Sequence, residues 1–224
     1  MTQHTLSDLH TDRSTGLLYR LRLPAPAQAT RLLVLLHGVG GNETNLLDLA
    51  QGVDPGTLVV LVRGPLQLGA QQFAWFQVRF TPNGPQIEPQ EAEHGRKLLI
   101  ALVQQLQGQH GIVAAQTTIA GFSQGGIMSA SVALSAPQSL AGFGLLSGRM
   151  LPELAPHIAN REQIEKLRAF IGHGNHDNVL PVQWAHRSDA WLTELGVPHG
   201  LHLYPADHSI HPQMQADFVA WLAQ

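Results

Sequence analysis

The chain has 224 residues, with 13 Lys plus Arg against 16 Asp plus Glu and a formal charge of −3. It has no cysteine, which excludes disulfides, thiolate metal sites and a cysteine nucleophile and leaves serine as the natural nucleophile. There is no basic stripe and no interleaving of basic and aromatic residues, so nucleic acid is not an expected partner. No apolar run approaches the ~20 residues of a membrane span. Residues 1–12 lack the charged-then-apolar order of a signal peptide, and the expectation is a single α/β domain in the cytoplasm.

Leu17 to Leu23 reads as an early strand and Arg31 to Leu36 as a short continuous apolar run suited to a buried strand, the two being separated by Pro24 and Pro26. The Gly-rich turn His37-Gly38-Val39-Gly40-Gly41 follows, then helical periodicity over Glu43 to Ala50. Leu58 to Val62 repeats the buried-strand pattern. Gly64 to Gln90, rich in Gly, Pro and Gln, is the longest segment expected to be irregular. A helix is predicted over Glu91 to Leu106 and a strand over Thr117 to Ala120. Gly121-Phe122-Ser123-Gln124-Gly125 comes next, and Gly125 to Leu134 reads as a helix with a small face at Gly126, Ser129, Ala130 and Ala133. Further strands are predicted at Gly142 to Leu146, Ala169 to Ile171 and Leu201 to Tyr204, and helices at Gln183 to Leu195 and Pro212 to Leu222.

Continuous apolar strands alternating with amphipathic helices imply a mostly parallel central sheet with helices on both faces. Ligands in that architecture sit beyond the carboxyl ends of the strands. Six segments each follow a predicted strand and would converge there: His37-Gly38, Gly64-Pro65, Ser123, Ser147-Gly148, His173-Gly174 and Asp207-His208.

The G-x-S-x-G pattern around Ser123 is that of a nucleophile elbow, where small neighbours let the backbone turn sharply from strand to helix. A serine hydroxyl needs an imidazole to take its proton and a carboxylate to orient that imidazole. In chain order the acid comes next and the histidine last. Asp177 lies in the loop after the strand at Ala169 to Ile171, and His208 follows the last strand. Asp207 and Asp189 are rival acids, but Asp207 directly precedes His208 and Asp189 lies within a predicted helix. The backbone N–H groups of Val39 and Gln124 are the expected oxyanion donors, a role in which side-chain identity matters little. His173, His176, Asp177 and His186 could be drawn as metal ligands, yet H-x-x-H-D matches no standard zinc spacing. No metal and no cofactor are expected.

The motifs Leu35 to Gly41, Ala74-Trp75-Phe76, Gly121 to Gly126, Leu146-Ser147-Gly148, His173 to Pro181 and His208-x-Ile210 together resemble the phospholipase/carboxylesterase family of α/β-hydrolases, which includes acyl-protein thioesterases. The resemblance runs from about residue 31 to the C-terminus. It implies an α/β-hydrolase fold without a large lid, with Ser123 as nucleophile, Asp177 as acid, His208 as base and Val39 and Gln124 as the oxyanion hole. The implied activity is hydrolysis of small to medium acyl esters through an acyl-serine intermediate. The alternatives are a thioesterase or lysophospholipase on the same triad, or a non-catalytic acyl binder. Val39, Leu66, Leu68, Trp75, Phe76, Leu180 and Ile210 are candidates for an apolar groove over the triad. Relatives often carry Asp where this chain has Gly41 and Gln77. Some relatives are dimers, and no feature of this sequence selects a homodimer.

Overall fold

The apolar runs of the sequence assemble into a nine-stranded sheet in a computed structural model that describes residues 5–81 and 84–224. Its first strands are β1 (Thr5–Leu6), β2 (His10–Thr11), β3 (Leu18–Leu23), β4 (Arg31–Leu36) and β5 (Thr57–Val62). Two hairpins stand outside it, β6 (Leu66–Gly69) with β7 (Gln72–Ala74) and β8 (Val78–Thr81) with β9 (Gly84–Ile87). The sheet is completed by β10 (Thr117–Phe122), β11 (Gly142–Leu146), β12 (Arg168–Gly174) and β13 (His199–Tyr204). Its order is β1-β3-β5-β4-β10-β11-β12-β13, with β2 also paired to β3. From β5 to β13 every pairing is parallel, and β1, β2 and β3 add an antiparallel edge.

The helices are α1 (Leu47–Gln51), α2 (Pro89–His110), α3 (Gln124–Ser135), α4 (Arg161–Ile164), α5 (Gln183–Leu195) and α6 (Pro212–Leu222). Successive strand residues point to opposite faces, and both faces are covered, which is why the central strands read as unbroken apolar runs rather than alternating ones. Leu32, Val34 and Leu36 pack with residues of α2, α3 and α5, such as Leu102, Met128 and Leu192. Leu33 and Leu35 pack on the other side with α1 and α6 through Leu49, Met214 and Phe218. No helix among the described residues is long and apolar enough to cross a membrane.

Two expectations need correction. The helix predicted over Glu43 to Ala50 begins only at Leu47. Upstream, Asn42 Oδ1 accepts from the Thr44 N–H and hydroxyl, and Asn45 Oδ1 accepts from the Asn42 N–H, so short polar side chains satisfy the backbone in place of a helical turn. The segment from Gly64 to Gln90 is largely regular, since it holds both hairpins and the first two residues of α2, while residues 82–83 lie outside those described. β6 is only partly buried, so it left no apolar run to read.

The start of α3 rests directly on the sheet. A side chain at Gly125 would collide with the Leu36 backbone, and one at Gly121 with the backbone of Gly125 and Gly126. Gly108, on the exposed side of α2, has open space around it. Gly125→Ala is therefore expected to lower stability by about 3 kcal/mol or more, a drop in melting temperature of roughly 6–12 °C. Gly108→Ala should raise stability by about 0.5–1 kcal/mol through helix propensity alone. Thermal melts followed by circular dichroism test both, and an unchanged melt for Gly125→Ala would contradict the close approach.

Candidate active site

Ser123 joins β10 to α3 at φ 54° and ψ −117°, a region that a residue with a side chain rarely occupies. Its N–H donates to Leu146 O at 2.8 Å and its carbonyl accepts from the Ile127 N–H at 3.1 Å, so both flanks of the turn are fixed. The hydroxyl meets His208 Nε2 at 2.9 Å, and His208 Nδ1 meets Asp177 Oδ2 at 2.6 Å. With Nδ1–H donating a hydrogen bond to the carboxylate, Nε2 carries the lone pair that accepts from the Ser123 hydroxyl. Phe122 packs on the imidazole with ring centroids 4.9 Å apart. Asp207 and Asp189 take no part in this chain of bonds, and Asp189 pairs with His199 instead.

Asp177 is buried, and its other oxygen accepts from the N–H groups of Val179 and Leu180 at 2.9 and 2.8 Å. The loop after β12 therefore orients the carboxylate before His208 reaches it. Beneath it lies His173, fully buried, with Nε2 2.7 Å from Leu180 O and 3.3 Å from Asp177 Oδ2. Burial pushes the His173 pKa down, so the ring is neutral and props the acid loop. His176 and His186 are exposed, and no group of three such side chains among the described residues could hold a metal ion.

Val39 and Gln124, the residues expected to supply oxyanion donors, line the same cavity as the serine. Gln124 is the first residue of α3, so its N–H has no acceptor within the helix. The Val39 loop is pinned on both sides of that residue. His37 Nε2 accepts from the Gly64 N–H, the Trp75 indole donates to His37 O, and the Gly40 N–H donates to Phe73 O. Gln124 does more than lend its backbone. Its side-chain oxygen accepts from the Trp75 N–H at 2.8 Å and its amide donates to Phe76 O at 2.7 Å, so side-chain identity matters here, contrary to the sequence reading. Nothing in the sequence pattern signals that clamp.

Both departures from the resembled family have a local counterpart. A side chain at Gly41 would run into Asn45 Oδ1, and the loop is tied instead by buried Glu43, which takes Arg63 at 2.6 Å and Arg20 at 3.0 Å. Gln77 lies beside α2, where its N–H and side-chain amide both donate to Glu91, a position in which a second carboxylate would face like charge.

The space around Ser123 has two compartments. One is an apolar cavity of about 160 Å³ lined by Phe76, Val78, Ile87, Ile127, Val179 and Leu180, with Arg149 in its wall. The other is an open depression of about 540 Å³ that includes Asn45, Leu46 and Ile210. They share Gly38, Val39, Phe122 and His208. Of the residues proposed from sequence, Val39, Phe76 and Leu180 reach the cavity and Ile210 the depression. Trp75 does not, because its ring is wholly buried and bonded to His37. Leu66 and Leu68 line neither space, since Phe73 and Ala74 take the inward positions of their hairpin and Leu68 is exposed. Val78, Ile87, Ile127, Val179 and Arg149 were missed because they come from five separate segments with no shared motif. A cleft of about 480 Å³ lined by Arg31, Thr57 and Gln116 lies at the other ends of the strands, away from these groups.

The sequence profile of a family described as Phospholipase/Carboxylesterase matches residues 24–224. The chain is 28% identical over 218 residues to acyl-protein thioesterase 1 of Eremothecium gossypii, covering 90% of this chain and 91% of that protein. It is 26% identical to acyl-protein thioesterase 1 of Emericella nidulans, over 78% and 81% of the two chains. Among solved structures, a carboxylesterase from Mesorhizobium loti superimposes with a TM-score of 0.82 at 24% identity, over 97% of this chain and 99% of the other. Esterase PE8 superimposes with a TM-score of 0.80 at 26% identity, again over 97% and 99%.

The Glu43 ion pairs carry a pH signature. Burial raises its pKa, but the bonds from Arg63 and Arg20 outweigh that and hold it at about 2, below the ordinary 4.5. A depressed folded-state pKa contributes stability that is complete above about pH 4.5 and is lost as pH falls toward 2. Glu43→Gln should cost on the order of 2–4 kcal/mol at pH 7. In urea melts the gap to the unmutated protein should narrow between pH 4.5 and 2, and a gap independent of pH would show that the carboxylate is not the source.

Proposed function

The chain belongs to the phospholipase/carboxylesterase family of α/β-hydrolases, and from that membership we propose that Ser123, His208 and Asp177 act as one unit hydrolysing carboxylic esters of short to medium acyl chains. The observation that carries this reading is the unbroken path of hydrogen bonds from buried Asp177 through His208 to the Ser123 hydroxyl.

Ser123 Oγ bonds to the carbonyl carbon while its proton passes to His208 Nε2. The imidazolium so formed is stabilised by Asp177, and the oxyanion by the N–H groups of Val39 and Gln124. The tetrahedral species collapses, the bond to the leaving oxygen breaks, and His208 returns the proton to that oxygen. Water then gives a proton to His208 and a hydroxyl to the acyl carbon. The Ser123 bond breaks, the serine recovers its proton, and the free acid leaves.

The alcohol must depart while the acyl group is still bonded to Ser123. The larger, more polar depression suits the group that leaves, and the smaller apolar cavity suits the acyl chain. A cavity of about 160 Å³ is small for a ligand pocket, which favours short acyl chains.

Thioester hydrolysis is a second reading, supported by the acyl-protein thioesterase 1 relatives and by a depression wide enough for a bulky leaving group. The same triad would serve, and the rates on matched oxygen and sulfur esters separate the two readings.

A fluorophosphonate probe should label the protein and fail to label Ser123→Ala. Ser123→Ala and His208→Ala should each cost about 10³-fold or more in kcat, and the double variant little beyond the worse single. Equal labelling of Ser123→Ala, or additive losses, would contradict a single catalytic unit. Across p-nitrophenyl esters from acetate to palmitate, kcat/KM should peak at about four to eight carbons, the length set by the cavity. A flat profile, or a rise to palmitate, would remove the apolar cavity from the acyl role.

A further inference from the structure

Arg149 is buried to 6% exposure in the wall of the cavity that holds Ser123. Its guanidinium lies over the Trp184 ring at 4.6 Å. Among the described residues it makes no hydrogen bond and no ion pair. Glu153 acts on it only at a distance, and exposed Arg187, also over Trp184 at 4.7 Å, adds positive charge nearby.

The contrast with Arg22 is informative. Arg22 is buried to a similar degree, and its guanidinium donates to four carbonyls, those of Ala50, Val53, Asp54 and Thr57. That is the ordinary way a protein compensates a buried cation with five donors. Arg149 has no carbonyl or carboxylate partner of this kind, only the Trp184 face and the solvent that its nitrogens still reach, and a cation over a ring supplies a fraction of what a charge-assisted hydrogen bond supplies. Its unused donors border the space in which a substrate would lie. Apart from His208, the other side chains of that wall are apolar apart from the Ser123 hydroxyl and the engaged Gln124 amide.

We propose that Arg149 is a specificity residue that receives a carboxylate at the far end of the acyl chain, so that the preferred substrates are hemiesters or hemithioesters of short dicarboxylic acids. This inference rests on the ester-hydrolase reading and on placing the acyl chain in the cavity. A planar guanidinium accepts a carboxylate in a two-bond fork. The apolar lining of the cavity that Arg149 and Ser123 share fits the methylenes of a chain whose two ends are polar. The small cavity favours an acid of about the length of succinate, glutarate or adipate.

The test compares monomethyl glutarate with methyl 5-methylhexanoate, in which an isopropyl group replaces the carboxylate at equal size, by pH-stat titration. The protein should favour the hemiester at least about tenfold in kcat/KM, and Arg149→Met should reduce that ratio at least about tenfold, with Arg149→Lys between them. Calorimetry supplies a reading independent of turnover: glutarate should bind Ser123→Ala and lose that binding in Ser123→Ala/Arg149→Met. The neutral ester matching the hemiester in the unmutated protein would overturn the proposal even if Arg149→Met failed to fold. So would a ratio unaffected by the substitution. Glutarate binding without hydrolysis of any ester would instead overturn the hydrolase reading and leave the anion site standing.

Discussion

The turn at Ser123 costs an ordinary residue on the order of 1–3 kcal/mol, and it persists because everything touching it has been cut to fit. Gly121 and Gly125 have no room for a side chain against the backbone of α3 and β4. A side chain at Gly38 would have its Cβ 3.2 and 3.3 Å from the Phe122 ring and Ser123 Cβ. On the opposite flank, Gly148 lies against Ser123 O, and Ser147 adopts a second positive φ of 46°. The strain raises the hydroxyl above the end of β10 and fixes the start of α3, so the Ser123 hydroxyl and the Gln124 N–H are set by one backbone event. A relaxed turn at Ser123 would move both.

Around that turn the polar groups are arranged so that little has to reorganise during reaction. Asp177 has one oxygen saturated by two backbone donors and the other turned to His208, so the imidazole has one tautomer and one direction open to it. The oxyanion side is prepared by different means. Glu43 ties the Val39 loop to β3 and β5 through Arg20 and Arg63, and the Gln124 side chain ties the start of α3 to the segment after β7. Donors held in place before charge develops are the main source of stabilisation in such sites. Here two separate networks hold the Val39 loop and the start of α3, the segments proposed to carry such donors.

Most of this framework was legible in the sequence wherever one physical signal dominated. β4 and β11 have the bounds that their apolar runs predict, and α5 and α6 those of their periodicity, because burial on both faces or on one stripe leaves a period that survives in the residues. The residues joined in the hydrogen-bond path could be chosen because chain order and position after a strand restrict the candidates. Where side chains satisfy the backbone, as at Asn42 and Asn45, periodicity misled. The cavity wall was not readable either, because it is made by β8, β9, α3 and two loops meeting in space. Trp75 shows the limit plainly: an aromatic beside the site became core because its indole N–H found a buried carbonyl.

The two compartments and Arg149 give the site a direction that the hydrogen-bond path alone lacks. A triad is symmetric with respect to which side of the ester is acyl and which is alcohol, since the serine attacks a carbon bearing both. The two unequal spaces break that symmetry, because the half still bonded to Ser123 stays through the second step while the other half must leave. On the proposal made for Arg149, a charge in the cavity wall breaks it further, since a terminal carboxylate would engage the guanidinium and an uncharged chain would not. Acyl length and terminal charge thus become coupled requirements. A chain too short leaves the cation unmet, and one too long cannot close over the serine.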